Sequence, residues 1–127
     1  MKNIGIITTS RIFAQSFSLI VKERPELEFR LFLLLDPHQA LLDAEIMKID
    51  AAVIDITDNA SKHFEDILRF CGELRKILPG CHILLLVSQE DEEDCKMAAE
   101  AVKTKKADDY VFYDASLDYL LAKLAAF

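Results

Sequence analysis

Apolar residues occur in five short runs along the chain, and each run is followed by a stretch in which apolar residues recur at helical spacing. Short apolar runs predict buried strands, and the helical spacing predicts helices that pack against them. The predicted strands are Ile4 to Ile7, Phe29 to Leu35, Ala51 to Ile56, Ile83 to Val87 and Tyr110 to Tyr113. Strands that alternate with helices in this way predict a parallel sheet covered on both faces.

The predicted helices have recognisable starts and ends. Ser10 is placed to cap the first helix, and Pro37 falls in the first turn of the second, where a missing N–H costs little. Pro79 and Gly80 end the third. The fourth begins in the acidic run 90–94 and ends among lysines, a sign pattern that suits the helix dipole rather than a metal site. Each predicted helix has one apolar side that should face the sheet. In chain order, from the first helix to the fifth, these sides are Ile12, Phe13, Phe17 and Ile20; Ala40, Leu41, Ala44 and Met47; Phe64, Ile67, Leu68, Cys71, Leu74 and Leu78; Cys95, Ala98, Ala99 and Val102; and Leu117, Leu120, Leu121 and Leu124.

This alternation predicts one domain, residues 1–127, of the flavodoxin-like α/β class. The sheet is expected to have five parallel strands in the order 2-1-3-4-5, with five helices distributed over both faces. A chain of 127 residues is large enough to bury a core without disulfides or metals. Because ligands of such sheets bind beyond the carboxyl ends of the strands, the residues that follow the strands are the first candidates for function.

Asp55 closes the third predicted strand, and Thr8 and Thr9 follow the first. A carboxylate at this edge is a candidate phosphate acceptor. Magnesium prefers oxygen ligands that carry carboxylate charge, so two hydroxyls beside one carboxylate predict weak Mg²⁺ binding at most, with no other cofactor and no metal ligands to assign. Asp36 and Asp58 also lie near strand ends, where we expect loop and cap roles because aspartate is favoured in turns.

Three segments resemble the receiver domain of two-component response regulators, and the resemblance covers nearly the whole chain. Residues Asp50 to Ile56 are similar to the family's acceptor strand, Leu34 to Leu41 to its turn into the second helix, and Ala107 to Val111 to the entry of its fifth strand. The resemblance implies a CheY-like fold used in phosphorelay signal transduction. It also implies that Asp55 is the phospho-acceptor and Tyr110 the switch aromatic.

The departures from the family fall on its reactive positions. Thr8 and Thr9 stand where the family has two adjacent acids, and Val87 stands where it has threonine or serine, with Ser88 one position later. Tyr113 stands at the position of the family's lysine, and a tyrosine offers a neutral donor instead of a fixed cation. The predicted pocket consists of Asp55 with Thr8, Thr9, Val87, Ser88 and Tyr113, and none of these is assigned as a catalytic residue.

These departures predict a degenerate receiver, or pseudo-receiver, which is a signalling module and not an enzyme. Phosphorylation at Asp55 is then weak or absent. One alternative is a functional phospho-accepting receiver that uses Asp55 with an atypical metal site. Another is a flavodoxin-like domain that binds a small ligand over Thr8, Thr9 and Asp55.

Charge and composition restrict the partners. The net charge of −7 argues against direct contact with nucleic acid. The longest uncharged apolar stretch, Leu31 to Leu35, is too short to span a membrane, and the start of the chain runs directly into a strand. Three widely spaced cysteines predict reduced thiols, which together with these features predicts a cytoplasmic location.

We expect a histidine kinase or another signalling protein as the partner. A homodimer contact is also predicted, through the face formed by the fourth helix, fifth strand and fifth helix. Aromatic side chains, which are favoured at the centre of interfaces, concentrate there. They are Tyr110, Phe112, Tyr113 and Tyr119.

Overall fold

A computed structural model shows a five-stranded parallel sheet in the order 2-1-3-4-5, which confirms the predicted fold class. The structure describes residues 1–36, 38–56, 64–113 and 116–127, with only the backbone of 64–66. The strands are β1 (Lys2–Ile7), β2 (Phe29–Leu34), β3 (Ala51–Asp55), β4 (His82–Val87) and β5 (Asp109–Phe112). The helices are α1 (Arg11–Lys22), α2 (Ala40–Met47), α3 (Phe64–Ile77), α4 (Glu92–Lys103) and α5 (Leu117–Ala125). A 3₁₀ turn, Pro25–Leu27, follows α1.

Alternation of side chains along the strands divides the core into two layers. The layer under α1 and α5 includes Ile4, Phe17, Val53, Leu84, Leu86, Val111 and Leu121. The layer under α2, α3 and α4 includes Ile54, Leu74, Leu85, Val87, Met97 and Ala98. Strand β3 is the middle strand of the five, so its last residue, Asp55, lies at the centre of the carboxyl edge of the sheet. The strand is also buried along its whole length.

Two helices bury the faces that the sequence predicts. In α3, Ile67, Cys71 and Leu74 are buried, whereas the side chain of Phe64 lies outside the described residues. All four predicted leucines of α5 face the core, with Leu117 partly buried. Pro79 and Gly80 follow the end of α3, as predicted.

The other three helices differ from the prediction by about one residue. In α1, Ile12 is exposed, and Ala14 and Val21 are buried beside the two phenylalanines. In α4, Ala99 is exposed and the buried residues are Asp94, Met97, Ala98 and Ala101. Met47 of α2 is exposed because it lies in the last turn. Each step along a helix rotates a side chain by about 100°, so residues at the margin of an apolar stripe are easily assigned to the wrong side.

The predicted helix start at Ser10 is confirmed, since its Oγ accepts a hydrogen bond from the Phe13 N–H at 3.2 Å. Asp91 caps α4 in the same way, and its Oδ1 accepts from the Asp94 N–H at 3.1 Å. Helix α2 begins at Ala40, and Pro37 lies outside the described residues. Among the helices of the described ranges, none is long and apolar enough to cross a membrane.

The thiols of Cys71 and Cys81 are free and buried in the core. Burial raises the pKa of Cys71 to about 11 and that of Cys81 to about 12. Both are therefore protonated, weakly reactive core groups at neutral pH.

Candidate functional site

Thr8 and Asp55 meet at the centre of the carboxyl edge of the sheet. Strands β1 and β3 are neighbours with Ile7 opposite Ile54, so the next residues of the two strands lie side by side. The Thr8 hydroxyl donates to Oδ2 of Asp55 at 2.7 Å and accepts from the Ser10 N–H at 3.0 Å. Only 5% of the Asp55 surface is exposed, and Thr8 is equally buried. A buried carboxylate is thus held by a neutral hydroxyl whose orientation the backbone fixes.

Tyr113 borders this pair from the end of β5. Its N–H donates to the Val87 carbonyl at 2.7 Å, which continues the strand pairing one residue beyond Phe112. Its ring lies 5.3 Å from that of Phe13, centroid to centroid. Partial burial and the negative charge of Asp55 raise the pKa of the Tyr113 phenol. The position at which the resemblance implies a lysine therefore holds a neutral phenol at neutral pH.

Val87 and Ser88 lie on different sides of the sheet. Asp55 is paired with Leu86, so the two side chains share the face under α1 and α5. Val87 is fully buried in the opposite layer, under α4. Alternation returns Ser88, which is half-buried, to the face of Asp55. Val87 therefore does not face Asp55, and strand alternation favours Ser88 for the predicted pocket.

The remaining candidates lie farther from the buried pair. Thr9 is exposed, next to the buried Thr8 in the chain. Tyr110 is half-buried against the layer under α4, and its ring meets that of Phe112 edge to face at 6.0 Å. Asp36 is exposed, and its Oδ1 accepts from the His38 N–H at 3.0 Å, which is the predicted loop role. Asp58 lies outside the described residues.

A magnesium ion takes six oxygen ligands and favours carboxylates. This edge offers the Asp55 carboxylate, and one of its oxygens already accepts the Thr8 hydroxyl. Within the described ranges, no cluster of three or more His, Cys, Asp or Glu side chains is placed to hold a metal ion. These donors do not fit a tight magnesium site.

Sequence reasoning missed two residues of this region. Phe13 was predicted only as core, yet its ring is the surface on which Tyr113 packs. Asp94 was predicted only as part of the acidic run that suits the dipole of the fourth helix, and the structure buries it in the first turn of α4. Burial, and then the neighbouring Asp91 carboxylate, raise the pKa of Asp94 to about 6. The signal in the sequence was its position three residues after a capping aspartate.

The fold of this chain is similar to the folds of solved response-regulator structures. No protein-family model matches the chain, and no curated protein sequence matches it. A response regulator from Thermotoga maritima is 19% identical with a TM-score of 0.75, over 98% of this chain and 94% of that chain. A two-component response regulator from Clostridium difficile is 19% identical with a TM-score of 0.76, over 99% and 94%.

A third solved structure contains a modified site. It is a response regulator protein from Burkholderia pseudomallei with a phosphorylated aspartic acid, a calcium ion and citrate. It is 22% identical with a TM-score of 0.73, over 96% of this chain and 65% of that chain. Identities in this range establish a shared fold.

Proposed function

We propose that this chain, which has the CheY-like fold of response-regulator receiver domains, is a pseudo-receiver that signals through protein contacts. Phosphorylation at Asp55 is weak or absent in this proposal. The observation that carries it is the hydrogen bond from the Thr8 hydroxyl to the buried Asp55 carboxylate. A neutral side chain holds the carboxylate where the resemblance implies a second acid.

The chemistry of phosphoryl transfer supports this reading. Protein catalysis of that reaction consists almost entirely of positioning and of stabilising negative charge with metal ions and cationic side chains. The described donors around Asp55 make a poor magnesium site, and Tyr113 supplies a neutral phenol in place of an ammonium group. Two of the usual sources of charge stabilisation are therefore replaced by neutral groups.

Exposure to acetyl phosphate and Mg²⁺, followed by intact-mass measurement, tests the proposal. We expect no phosphoryl adduct on the parent protein. The matched positive control is the triple variant Thr8→Asp, Thr9→Asp and Tyr113→Lys, which restores the family's charges around Asp55. An adduct on the parent that disappears in Asp55→Asn would contradict the proposal and establish the phospho-accepting alternative.

The proposed contact surface is the face formed by α4, β5 and α5, for a signalling partner or a second copy. Tyr119 on α5 supports it, because 49% of its surface is exposed and aromatic residues are favoured at interface centres. The Lys123 ammonium group lies near the Tyr119 ring and forms an ion pair with Asp109 of β5. Val111 is buried and lies outside this surface.

A further inference from the structure

Helix α2 has apolar side chains on all sides although it lies on the protein surface. Six of its eight residues are apolar, and such helices are normally buried all round. Here only Ala40 and Ala44 are buried, whereas Leu42 and Ile46 are 51% and 63% exposed. The two alanines therefore face the sheet with Leu41 partly buried beside them, whereas Leu42 and Ile46 face outward. Leu42 and Ile46 are four residues apart and so lie on the same side of the helix.

A groove runs between α2 and α3; Leu42 lines it, and Ile46 lies one helical turn farther along the same side of α2. Its volume is about 310 Å³. It is lined by Leu41, Leu42, Glu45, Glu73, Lys76 and Ile77, and we call it the α2–α3 groove. Ile77, at the end of α3, is also exposed. Because the groove is formed by the last turns of α3 and the outer side of α2, it is separate from the carboxyl edge that carries Asp55.

The charges at the groove are predominantly acidic and unpaired. Glu45 and Glu73 line it together with Lys76. Within the described part of the chain, none of these three side chains forms an ion pair. Carboxylates beside an apolar groove favour a partner that combines apolar anchors with positive charge, since complementary charges orient an encounter and select the partner.

We propose that the α2–α3 groove docks an amphipathic helix of a basic partner protein. Such a helix places apolar residues at i, i+3, i+4 and i+7 into a groove, with Lys or Arg on its flanks facing Glu45 and Glu73. A second copy of this chain fits less well. A stable dimer buries about 800 Å² per partner, whereas a patch formed by the exposed side chains of Leu42, Ile46 and Ile77 amounts to about a few hundred Å². Two copies would also bring the same two glutamates together.

This contact is independent of the proposed α4–β5–α5 surface and of phosphorylation. A helix that fills the groove would cover Leu42, Ile46 and Ile77 at once. That burial accounts for the outward placement of Leu42 and Ile46, which packing against the sheet does not explain.

The test uses defined peptides of about five helical turns, roughly 18 residues. One peptide has leucines at helical spacing flanked by lysines, the second has glutamates in place of the lysines, and the third is a scrambled isomer of the first. Binding is measured by calorimetry and mapped by backbone amide NMR shifts. We expect the basic amphipathic peptide to bind, with shifts confined to α2 and the last turns of α3, and the other two to bind at least about tenfold more weakly.

Protein variants separate the groove from general electrostatic attraction. Ile46→Lys should weaken binding of the basic peptide by at least about tenfold. Ile12→Lys makes the same charge change at an exposed isoleucine of α1 and should leave binding unchanged. The double variant Glu45→Lys and Glu73→Lys should bind the acidic peptide better than the basic one. Thermal unfolding of each variant confirms that the fold is retained.

Several results would overturn the proposal. Equal binding of the scrambled peptide, shifts centred on the acidic first turn of α4, or no binding of the basic peptide would each do so. Self-association of the parent that Ile46→Lys abolishes would assign the groove to a second copy instead. Binding to phosphatidylcholine vesicles that requires Ile46 would assign it to a lipid surface.

Discussion

The Thr8 hydroxyl donates to Oδ2 of Asp55 at 2.7 Å and thereby joins the ends of two neighbouring strands inside the protein. Both groups are buried, and the hydroxyl also accepts from the Ser10 N–H that opens the turn into α1. Asp55 therefore takes part in a hydrogen-bonded structural unit. That unit connects β3, β1 and the cap of α1.

Thr8→Val should destabilise the protein by about 1–3 kcal/mol, because valine keeps the shape and leaves a buried carboxylate oxygen without this donor. Urea unfolding measures the change. Thr104→Val is a matched control, since the Thr104 hydroxyl bonds the Glu100 carbonyl at 2.8 Å at an exposed site. A loss at Thr8 no larger than at Thr104 would show that the bond contributes little.

The double variant Thr8→Asp and Thr9→Asp should bind Mg²⁺ more tightly than the parent. It places two further carboxylates beside Asp55, which Mg²⁺ favours and which repel one another without it. We expect the variant to be less stable than the parent in EDTA and to recover when Mg²⁺ is added. Thermal unfolding with and without Mg²⁺ measures both effects. Equal Mg²⁺ dependence in parent and variant would show that the new acids do not converge on Asp55.

The free energy of unfolding should decrease as the pH rises from about 4 to about 6, because Asp94 loses its proton in this range. The pKa of Asp94 is raised from 3.8 to about 6 in the folded protein, so in this range the folded state binds more protons than the unfolded state. The stabilisation that comes from proton binding at Asp94 is fully present below about pH 4 and is lost as the pH rises through about 6. Asp94→Asn should make the protein more stable than the parent at pH 7, by an amount on the order of 1 kcal/mol.

Urea unfolding of the parent and Asp94→Asn at several pH values gives the difference attributable to this residue. Glu100→Gln is the control, because Glu100 is an exposed acid of the same helix and is not among the charges that raise the pKa of Asp94. A difference between parent and Asp94→Asn that stays constant from pH 4 to pH 7 would contradict the predicted titration.

Tyr119→Glu should weaken self-association through the α4–β5–α5 face. It replaces a half-exposed aromatic side chain by a charge on a protein that is already strongly acidic. Sedimentation equilibrium at high concentration compares the parent, this variant and Leu19→Glu, which makes the same charge change at an exposed site of α1. If Leu19→Glu weakens association as much as Tyr119→Glu, the contact does not lie on the predicted face.

The fold could be predicted from the sequence because its strongest signals are local and repeated. Strand β3 is an uninterrupted apolar run that ends in an acid, and α3 has a clear apolar period followed by proline and glycine. Both patterns still predict the correct type of element when its first or last residue is placed wrongly by one or two positions. Helix faces with small residues, as in α4, gave a weaker signal, and there Met97 was missed and Ala99 was placed inward.

The site was only partly predictable. The order of strands places Thr8 beside Asp55, so their proximity followed from the fold. Their deep burial did not, because it depends on the packing of neighbouring side chains such as Phe13 and Tyr113, which strand order alone does not give. The faces of the sheet on which Val87 and Ser88 lie depend on the register between β3 and β4. A shift of that register by one residue would move each side chain to the opposite face, and the sequence does not define the register that closely.

The inward alanines of α2 also affect how firmly this helix is held. The two alanines and the partly buried Leu41 bury less apolar area than the Phe13 and Phe17 side chains of α1, so local opening of α2 should require less free energy. The amide protons of α2 should accordingly exchange with solvent sooner than those of α1. A ligand that covered Leu42 and Ile46 would slow that exchange without touching the rest of the protein.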